Sequence, residues 1–362
     1  MTKKKIIIAT GGTGGHVFPA YSLANSLMKN YSVLLTSDKR GLNYLKNYKN
    51  LNLENISSSP LEKKNLFTFV YSIVKIIYSI LKSFLFLIFN RPSIIFGMGG
   101  YSSFPICVAA SILRIKFIIY ENNLIIGKAN KYLLPFANKI FVSHEELEGI
   151  PKQHDEKVFR VGNIVREEII NLNINNKERD TSNIRILVLG GSQAARIFAE
   201  VLPIIFKKLK NLDLPIKIFQ QCQKNQNKEL SAFYEQAKIE YEIFNFTNKI
   251  AEYYSKANLV ITRSGASVLG ELINVKIPFI SIPLPTSADN HQYKNAEFYL
   301  KKGYGLLLRE KEIKNKLQDL IVSIHKDETL TKKILSKQGQ YSDKDVFNNL
   351  NIKIDKILNE KN

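Results

Sequence analysis

Ile6-Ile-Ile-Ala-Thr-Gly-Gly-Thr-Gly-Gly-His16, near the start of the chain, is the stretch that decides the fold. An apolar run of this kind is typical of a buried strand, and the glycines let the backbone turn sharply into a helix. The first N–H groups of such a helix, and the positive end of its dipole, favour a bound phosphate. The same order recurs at Ile186-Leu-Val-Leu-Gly-Gly-Ser-Gln193, and a third glycine-rich turn lies at Gly97-Met-Gly-Gly-Tyr101. Both halves are therefore predicted to contain strand–turn–helix units.

Further short runs of Ile, Val and Leu alternate with segments of helical spacing, which predicts parallel sheets buried on both faces. We therefore expect an α/β doubly wound fold, formed twice, and the length of 362 residues fits two domains. Residues 171–183, rich in Asn, Lys and Glu, are the best linker candidate. The predicted strands are 5–9, 32–36, 93–96, 117–120 and 139–142 in the first half, and 185–189, 217–219, 241–244, 259–262, 279–282 and 305–308 in the second.

The net charge of +20, from 52 Lys and Arg against 32 Asp and Glu, favours anionic partners such as nucleic acid, anionic lipid or phosphorylated substrates. Cys107 and Cys222 are the only cysteines, which excludes a disulfide framework and favours a reducing compartment. The apolar run after Lys5 ends at Thr10, too short for a signal peptide, so we interpret it as the first strand of a cytosolic protein. The sequence contains no RNA- or DNA-binding motif, and we expect no nucleic-acid partner.

The loop at 11–16 leaves a nicotinamide-dependent enzyme open when it is taken alone. It differs from the Gly-x-Gly-x-x-Gly pattern of dinucleotide enzymes, and it also fits a tight strand–helix turn. Asp38 nevertheless follows the second predicted strand, about where an acidic residue would bind the ribose of NAD. The glycine-rich turns at 97–101 and 190–193 make this interpretation weaker.

Two stretches of the second half suit a nucleotide sugar. Residues 262–271 end a predicted strand and begin a helix, and the small Ser264 and Ala266 keep its N-terminus open to a diphosphate. Glu271 could accept hydrogen bonds from both ribose hydroxyls. Residues 289–295 gather amides that suit sugar hydroxyls. Each stretch alone also fits an ordinary helix start or a solvated loop.

Six motifs occur in one order along the chain: Gly-Gly-Thr-Gly-Gly-His-Val-Phe-Pro-Ala (11–20), Gly-Met-Gly-Gly-Tyr (97–101), Glu-Asn-Asn (121–123), Gly-Gly-Ser-Gln (190–193), Arg-Ser-Gly-Ala-Ser (263–267) and Asp-Asn-His-Gln followed by Asn-Ala (289–296). Together they resemble the peptidoglycan N-acetylglucosaminyltransferases over nearly the whole chain. That family adds N-acetylglucosamine from UDP-N-acetylglucosamine to undecaprenyl-pyrophosphoryl-N-acetylmuramoyl-pentapeptide (lipid I), which gives lipid II.

The resemblance implies a GT-B architecture, in which two Rossmann-like doubly wound domains enclose the active site in an interdomain cleft. Residues 1–165 would form an acceptor- and membrane-binding domain, and residues 166–342 a UDP-sugar-binding domain. Residues 343–362 would form a helix that packs back on the first domain, in agreement with the apolar spacing of this tail.

The resemblance also implies the roles of individual residues. A loop containing Thr247 would read uracil through backbone groups, while Glu271 would bind ribose and Gln292 the sugar. The first two glycine loops would receive the diphosphate of the acceptor. The implied substrate-binding residues are Thr13, Gly14, Gly15, Asn123, Arg166, Ser192, Thr247, Ala266, Ser267, Val268, Leu269, Gly270, Glu271 and Gln292, and those for the acceptor diphosphate are Gly99, Gly100 and Tyr101.

Three positions depart from the usual family pattern. The family has Gln where this chain has Asn122, and Gly where it has Ala194. A methyl group at 194 could crowd a close backbone approach, so we do not expect direct phosphate contact there. The position of Thr247 is often aliphatic, which a backbone contact would tolerate.

The implied reaction is displacement at the anomeric carbon of the sugar with inversion of configuration. It needs a base for the acceptor hydroxyl and stabilisation of charge on the leaving UDP, which helix N-termini can supply. We favour His16 as the base because imidazole titrates near neutral pH, with Glu121 as the second candidate. A hydrogen bond from His16 to a phosphate or a neighbouring loop is the alternative. We expect no metal and no cofactor, since no Asp-x-Asp follows a strand of the donor region and no histidines have zinc-ligand spacing.

Residues 65–89 form the most apolar stretch, about long enough to span a bilayer. Its polar residues, including Ser72, Lys75 and Ser79, fall on a single helical stripe, which favours an amphipathic helix over a spanning one. Basic flanks predict binding to an anionic membrane surface by partial insertion. An ordinary core helix is the alternative.

These observations predict a peripheral enzyme at the cytoplasmic face of the inner membrane. Its expected partners are UDP-N-acetylglucosamine, lipid I and anionic lipid. A related lipid glycosyltransferase, such as one that glucosylates diacylglycerol, stays open, as does a UDP-N-acetylglucosamine epimerase. A non-enzymatic basic binding protein is disfavoured by the ordered donor motifs.

Overall fold

A computed structural model describes residues 3–46, 48, 50–56, 58–61, 65–172, 183–191 and 194–359. The chain divides into two compact units. The first unit runs to Arg166 and takes up the chain again from Asp343, and the second is Glu167–Ser342. The boundary thus falls one residue after the predicted start of the second domain, and most of the predicted linker lies outside the described residues.

The first unit is a parallel seven-stranded sheet of order β3-β2-β1-β4-β5-β6-β7. Two of its strands, β3 and β7, were not predicted because neither is a continuous apolar run: their sequences are Leu-Glu-Asn and Val-Phe-Arg. Its elements are β1 Lys5–Ala9, α1 Gly14–Leu27, β2 Ser32–Ser37, α2 Lys39–Leu45, β3 Leu53–Asn55, α3 Leu66–Asn90, β4 Ile94–Gly97, α4 Gly100–Ile112, β5 Phe117–Glu121, α5 Lys128–Leu133, β6 Lys139–Val142, a 3₁₀ helix Lys152–Lys157 and β7 Val158–Arg160.

The second unit is a parallel six-stranded sheet of order β10-β9-β8-β11-β12-β13. Every strand predicted for this half is present, with ends that differ by at most two residues. Its elements are α6 Glu167–Ile170, β8 Ile184–Leu189, α7 Arg196–Lys210, β9 Ile216–Gln221, α8 Asn227–Gln236, β10 Glu240–Phe244, α9 Ile250–Lys256, β11 Leu259–Thr262, α10 Ala266–Val275, β12 Phe279–Ser281, α11 His291–Lys301, β13 Leu306–Leu307, α12 Ile313–Lys326 and α13 Glu328–Gly339, with 3₁₀ helices at Lys224–Gln226, Ala288–Asn290 and Glu310–Glu312.

Continuous apolar strands form here because helices cover both faces of each sheet. In β1, Ile6 and Ile8 join one hydrophobic cluster, while Ile7 and Ala9 join the cluster on the opposite face. Successive side chains of a strand point to opposite faces, so a strand covered on both sides must be apolar at every position. The doubly wound prediction is confirmed.

The strand order fixes where ligands can bind. In each sheet the order reverses once, between β1 and β4 in the first unit and between β8 and β11 in the second. In doubly wound sheets, ligands bind beyond the carboxyl ends of the strands at this reversal. The glycine-rich motifs at 11–16, 97–101, 190–193 and 263–267 follow these four strands.

The C-terminal tail forms a helix, α14 Val346–Asn359, that belongs to the first unit. Val346, Leu350 and Ile354 are buried in the same cluster as Ile6 of β1. Asp343 precedes α14 and is itself buried, where its carboxylate accepts hydrogen bonds from the backbone N–H and the side-chain amide of Asn163, both at 3.1 Å.

Helix α3 has the reverse of the usual orientation for an amphipathic helix of a globular protein. Its buried residues are Ser72, Ser79, Ser83 and Leu87, and it packs on α4. Serines are small and let two helices approach closely, and the hydroxyl of Ser79 donates to the carbonyl of Lys75 within the same helix at 2.8 Å. Eleven of its apolar side chains are exposed instead: Leu66, Phe67, Val70, Tyr71, Val74, Ile77, Tyr78, Leu81, Leu85, Ile88 and Phe89.

Among the described helices, α3 alone is long and apolar enough to cross a membrane, and 22% of its most apolar window is buried. It is therefore not an ordinary core helix. The polar stripe seen in the sequence divides in the structure, because the serines face the protein while Lys75 and Lys82 remain exposed.

Candidate functional site

Two glycine turns meet at the strand reversal of the first unit. Gly11 and Gly12 have φ of +150° and +77°, and Gly99 and Gly100 have φ of +88° and +73°. These are conformations that L side chains avoid, so the turns require glycine. The turns lie together because β1 pairs with β4, and the Met98 N–H donates to the Ala9 carbonyl at 2.9 Å. Thr13 and Gly99 precede α1 and α4 without a side-chain cap, so the N-termini of two helices open at this edge.

His16 lies in the first turn of α1 and packs against the second glycine turn. Its Nδ1 is 3.0 Å from the Met98 carbonyl oxygen. A carbonyl oxygen can only accept, so Nδ1 carries the proton and a neutral ring carries its lone pair on Nε2. A Cβ at Gly99 would lie 3.1 Å from the ring, and one at Gly100 would lie 3.3 Å from it. The two motifs therefore hold the imidazole in one tautomer.

Asp38 forms its hydrogen bonds with groups of the protein itself. Its carboxylate accepts from the backbone N–H of Gly12 at 3.0 Å and of Gly41 at 2.8 Å. It also accepts from the hydroxyls of Ser102 at 3.0 Å and Tyr101 at 3.3 Å. Burial, and next the Asp38 charge, raise the pKa of the Tyr101 phenol. A buried carboxylate with four such donors does not suit a ribose, which removes the support that Asp38 gave to a nicotinamide enzyme.

Glu121, at the end of β5, is likewise occupied by the protein. One of its oxygens accepts from the backbone N–H and the side-chain amide of Asn123, at 3.1 and 2.8 Å. The other accepts from the Gly127 N–H and the Asn130 amide, both at 2.9 Å. The carboxylate is buried, and these contacts favour a role in presenting Asn123 over a role as base.

The departure at Asn122 is accommodated by the loop. Its amide donates to the Gly15 carbonyl at 3.3 Å, so the shorter side chain still reaches the first glycine turn. The loop after β5 thus adjoins the turn after β1.

Arg166 falls in the first unit, where its guanidinium lies 4.9 Å from the ring centre of Phe18 in α1. The side chain is buried. The sequence suggests it as the first residue of the UDP-sugar domain, whereas both its position and its packing on α1 belong to the first unit.

At the strand reversal of the second unit, the turn after β8 has an unusual backbone. The Gly190 N–H donates to the side chain of Gln221 at 3.1 Å, and a Cβ at Gly190 would lie 1.9 Å from the Ala195 nitrogen. Ala194 has φ of +47°, a left-handed conformation that favours glycine. The family's preference for glycine at this position thus has a backbone cause. Ser192 and Gln193 lie outside the described residues.

The turn after β11 leads into α10 through Gly265, which provides no side-chain cap. Ala266, Ser267, Val268, Leu269 and Gly270 form the first turns of this helix. Glu271 follows them, largely buried, and accepts from the hydroxyl of Tyr254 at 2.9 Å. An open helix N-terminus with a carboxylate at its second turn can take a diphosphate and a ribose.

Arg263 supports the loop after β12, a role that the sequence did not reveal. Its guanidinium donates to the carbonyls of Ile282 and Pro283, both at 3.3 Å, and forms an ion pair with Glu310. The available signal in the sequence was an arginine within a phosphate-binding motif. When such a side chain is buried, its charge must be met by hydrogen bonds or ion pairs within the protein.

Gln292 holds the same loop from α11, since its amide oxygen accepts from the Leu284 N–H at 3.0 Å. This contact fixes the side chain, and its amide nitrogen remains the donor that a sugar hydroxyl would need. Asn295 is buried and its amide donates to the Ser264 carbonyl at 3.1 Å, which ties α11 to the turn before α10.

Thr247 lies after β10, where its hydroxyl accepts from the Lys249 N–H at 3.0 Å. The side chain is thereby used within the loop, which agrees with recognition of a ligand there by backbone groups. In the described part of the chain, no three His, Cys, Asp or Glu side chains are grouped as metal ligands.

Comparison with known proteins places this chain in a family. Residues 6–142 match the glycosyltransferase family 28 N-terminal domain, and residues 185–349 match its C-terminal domain. The chain is 38% identical over 361 residues, 99% of each protein, to the UDP-N-acetylglucosamine–N-acetylmuramyl-(pentapeptide) pyrophosphoryl-undecaprenol N-acetylglucosamine transferase of Pelagibacter ubique. It is 36% identical over 339 residues to the protein of the same name from Rickettsia felis, covering 88% of this chain and 91% of that protein.

The fold agrees with a solved structure. The crystal structure of Acinetobacter baumannii MurG superimposes with a TM-score of 0.78 at 24% identity, covering 98% of this chain and 99% of that one. UDP-N-acetylglucosamine 2-epimerases share the fold more distantly, with a TM-score of 0.66 at 14% identity for one of them. With two family domains matched and a full-length relative at 38% identity, the chain belongs to glycosyltransferase family 28, among the N-acetylglucosamine transferases that act on pyrophosphoryl-undecaprenol.

Proposed function

We propose that this protein transfers N-acetylglucosamine from UDP-N-acetylglucosamine to undecaprenyl-pyrophosphoryl-N-acetylmuramoyl-pentapeptide, converting lipid I to lipid II for peptidoglycan synthesis. The observation that carries the proposal is the 38% identity, over 99% of both chains, to a transferase of that name. A UDP-N-acetylglucosamine 2-epimerase is disfavoured, because the likeness to such enzymes is in fold alone.

The second unit would bind the donor. The N-terminus of α10, at Ala266 and Ser267, would receive the diphosphate of UDP, and the buried Glu271 would accept from the ribose. The loop at Thr247 would read uracil through backbone groups, and Gln292 would donate to the sugar. The remaining donor contacts of this unit would come from Val268, Leu269, Gly270 and Ser192, and Arg166, the last residue of the first unit before α6, would add one more.

The first unit would bind the acceptor. Its two open helix N-termini, at Thr13–Gly15 and Gly99–Tyr101, lie side by side at the strand reversal and offer N–H groups to a diphosphate. Asn123, held by Glu121, would contact the donor sugar.

His16 would act as general base. A hydroxyl of the acceptor attacks the anomeric carbon, the bond to UDP breaks, and the configuration inverts. The Met98 carbonyl keeps the proton on Nδ1, so the basic lone pair of a neutral ring lies on Nε2, which would accept the hydroxyl proton. UDP leaves with the bonding electrons, and α10 would stabilise the charge on its diphosphate.

The outward apolar face of α3 would bind the membrane that contains the acceptor. Eleven exposed apolar side chains on one helix exceed what a soluble surface usually carries. Lys75, Lys82 and Arg91 accompany them and would attract anionic lipid. We therefore propose a peripheral protein at the cytoplasmic face of the inner membrane, where UDP-sugars are available.

One assay tests the proposed function. The purified chain is incubated with radiolabelled UDP-N-acetylglucosamine and a lipid I analogue, and label is expected in the lipid fraction. Parallel samples with diacylglycerol and with no acceptor complete the design. Label on diacylglycerol, or isomerised sugar without an acceptor, would replace the proposal by a different lipid glycosyltransferase or by an epimerase.

A further inference from the structure

We propose that Asp38 is a positioning residue, which fixes the N-termini of α1 and α4 at the separation needed to bind the acceptor diphosphate. The inference rests on the proposed function for the ligand, but the coupling itself is read from contacts within the first unit. Asp38 lies outside the six motifs that carry the family resemblance.

The contacts of Asp38 divide between the two glycine turns. Oδ1 accepts from the Gly12 N–H, in the turn before α1, and from the Gly41 N–H in α2. Oδ2 accepts from the hydroxyls of Tyr101 and Ser102, in the first turn of α4. A single rigid carboxylate thus joins the two turns and the start of a third helix.

The packing around the carboxylate allows little movement. A Cβ at Gly11 would lie 2.7 Å from the Ser102 side chain and 2.8 Å from Oδ1 of Asp38. A Cβ at Gly41 would lie 2.9 Å from the Gly11 Cα. The turn at Gly11, the start of α2 and Ser102 of α4 therefore pack closely around Asp38.

The charge of Asp38 argues against a direct role in binding. A carboxylate repels a diphosphate, and this one is buried and faces four protein donors. It also takes the Gly12 N–H, which is then not available to a ligand. Its contribution to binding must therefore act through the positions of Thr13–Gly15 and Gly99–Gly100, whose backbones would contact the phosphates.

Asp38→Asn tests the role with little change of shape. The amide keeps one acceptor oxygen but places an NH₂ where two hydroxyls now donate. We expect kcat/KM for a lipid I analogue to fall by about tenfold to a hundredfold, since misplacement by about 1 Å can have this effect, while KM for UDP-N-acetylglucosamine stays within about twofold. Hydrogen exchange should accelerate in both 11–15 and 99–102.

Asp343→Asn is the matched control. Asp343 is also a buried carboxylate of the first unit, but it accepts hydrogen bonds from Asn163 and lies just before α14, away from the two glycine turns. It should lower thermal stability without altering the acceptor kcat/KM or the exchange of the two turns. If both variants reduce the acceptor kcat/KM equally, Asp38 is merely structural and the proposal is wrong.

Ser102→Ala removes one of the α4 hydroxyls that donate to Asp38. It keeps the proposal testable if the Asp38→Asn variant does not fold. It should produce a smaller acceptor defect of the same kind, and little further loss in the Asp38→Asn background, because both changes interrupt one network. If the two substitutions reduce the acceptor kcat/KM independently, so that their effects multiply in the double variant, the proposed link between Asp38 and Ser102 is wrong.

Binding of farnesyl diphosphate separates this inference from the proposed function. If the wild-type chain transfers no sugar to lipid I, the proposed function fails, yet a weaker affinity of Asp38→Asn for farnesyl diphosphate, with Asp343→Asn unchanged, would still support the positioning role. Equal affinity in all three proteins would exclude it.

Discussion

At the scale of single residues, the site is built from side chains that hold loops and side chains that would meet substrate. Asp38, Glu121 and Arg263 belong to the first group, because their polar atoms are bonded to nearby protein groups. His16 belongs to the second, since its Nδ1 contact with the Met98 carbonyl fixes the tautomer and places the basic lone pair of the neutral ring on Nε2. A charged residue inside a motif is therefore not by itself a catalytic one.

His16→Ala should lower kcat by about 10²- to 10⁴-fold, the usual contribution of a general base, while UDP-N-acetylglucosamine binding survives. Steady-state kinetics and calorimetric titration with UDP-N-acetylglucosamine provide the two measurements. His325→Ala, on α12, is the control and should keep wild-type turnover. Unchanged turnover in His16→Ala would remove this residue from the mechanism.

Ala194→Gly should stabilise the second unit. A φ of +47° destabilises an L residue by about 1–2 kcal/mol, and glycine removes this strain. Glycine also increases the conformational entropy of the unfolded chain, which lowers stability by about 0.4–1 kcal/mol. We expect a net gain of about 0.5–1 kcal/mol in thermal or urea unfolding. Ala199→Gly, inside α7, should destabilise by about 1 kcal/mol, and two changes of the same sign would contradict the backbone explanation.

At the scale of elements, α3 differs from an ordinary amphipathic helix because its polar face packs on the protein and its apolar face is exposed. An amphipathic sequence predicts a helix with one apolar face, and globular packing would place that face inside. Here the inner face carries Ser72, Ser79 and Ser83, and the outer face is apolar. The Asn65 capping box, with the Thr68 N–H donating to the Asn65 side chain at 2.8 Å, starts the helix at a defined residue.

Replacing Tyr78 and Leu81 of α3 together by Ser should weaken binding to anionic liposomes by about tenfold or more, because each buried apolar side chain is worth about 1.5–3 kcal/mol. Both are more than half exposed, at 66% and 59%, so thermal stability should not change. Cosedimentation at low and high salt measures the effect, and wild-type binding should weaken with salt. Leu300→Ser, an exposed apolar site of the second unit, is the control.

Two results would count against this function of α3. Equal binding of the wild type to neutral and anionic liposomes would remove the electrostatic part. Equal binding of Tyr78→Ser/Leu81→Ser and Leu300→Ser would remove the apolar part.

At the scale of the whole molecule, both units bury tyrosines whose phenols must stay neutral. Burial raises the pKa of Tyr120 in the first unit and of Tyr234 in the second. Each phenol is bonded inside the protein, Tyr120 to Ser143 at 2.8 Å and Tyr234 to the side chain of Gln220. Alkaline pH should therefore destabilise both units.

The direction of this pH dependence follows from the raised pKa of the two phenols in the folded protein. An unfolded phenol ionises at a pKa of about 10, so the stabilisation is complete below pH 10 and decreases above it, by at most about 1.4 kcal/mol per pH unit for each tyrosine. Urea midpoints should therefore fall steeply above about pH 10. Tyr234→Phe should flatten this fall relative to the exposed Tyr132→Phe, and an unaltered slope would assign it to other groups.

The sequence by itself determined the two α/β halves, the glycine turns and the family, because these rest on local patterns: apolar runs, turn residues and ordered motifs. The tertiary structure decided what the charged residues do. Asp38 accepts hydrogen bonds from Gly12, 26 residues away in the sequence, and from Ser102, 64 residues away, and no local sequence pattern predicts such partners. It likewise decided which face of α3 is buried, since periodicity defines two faces but only packing on α4 selects the serines.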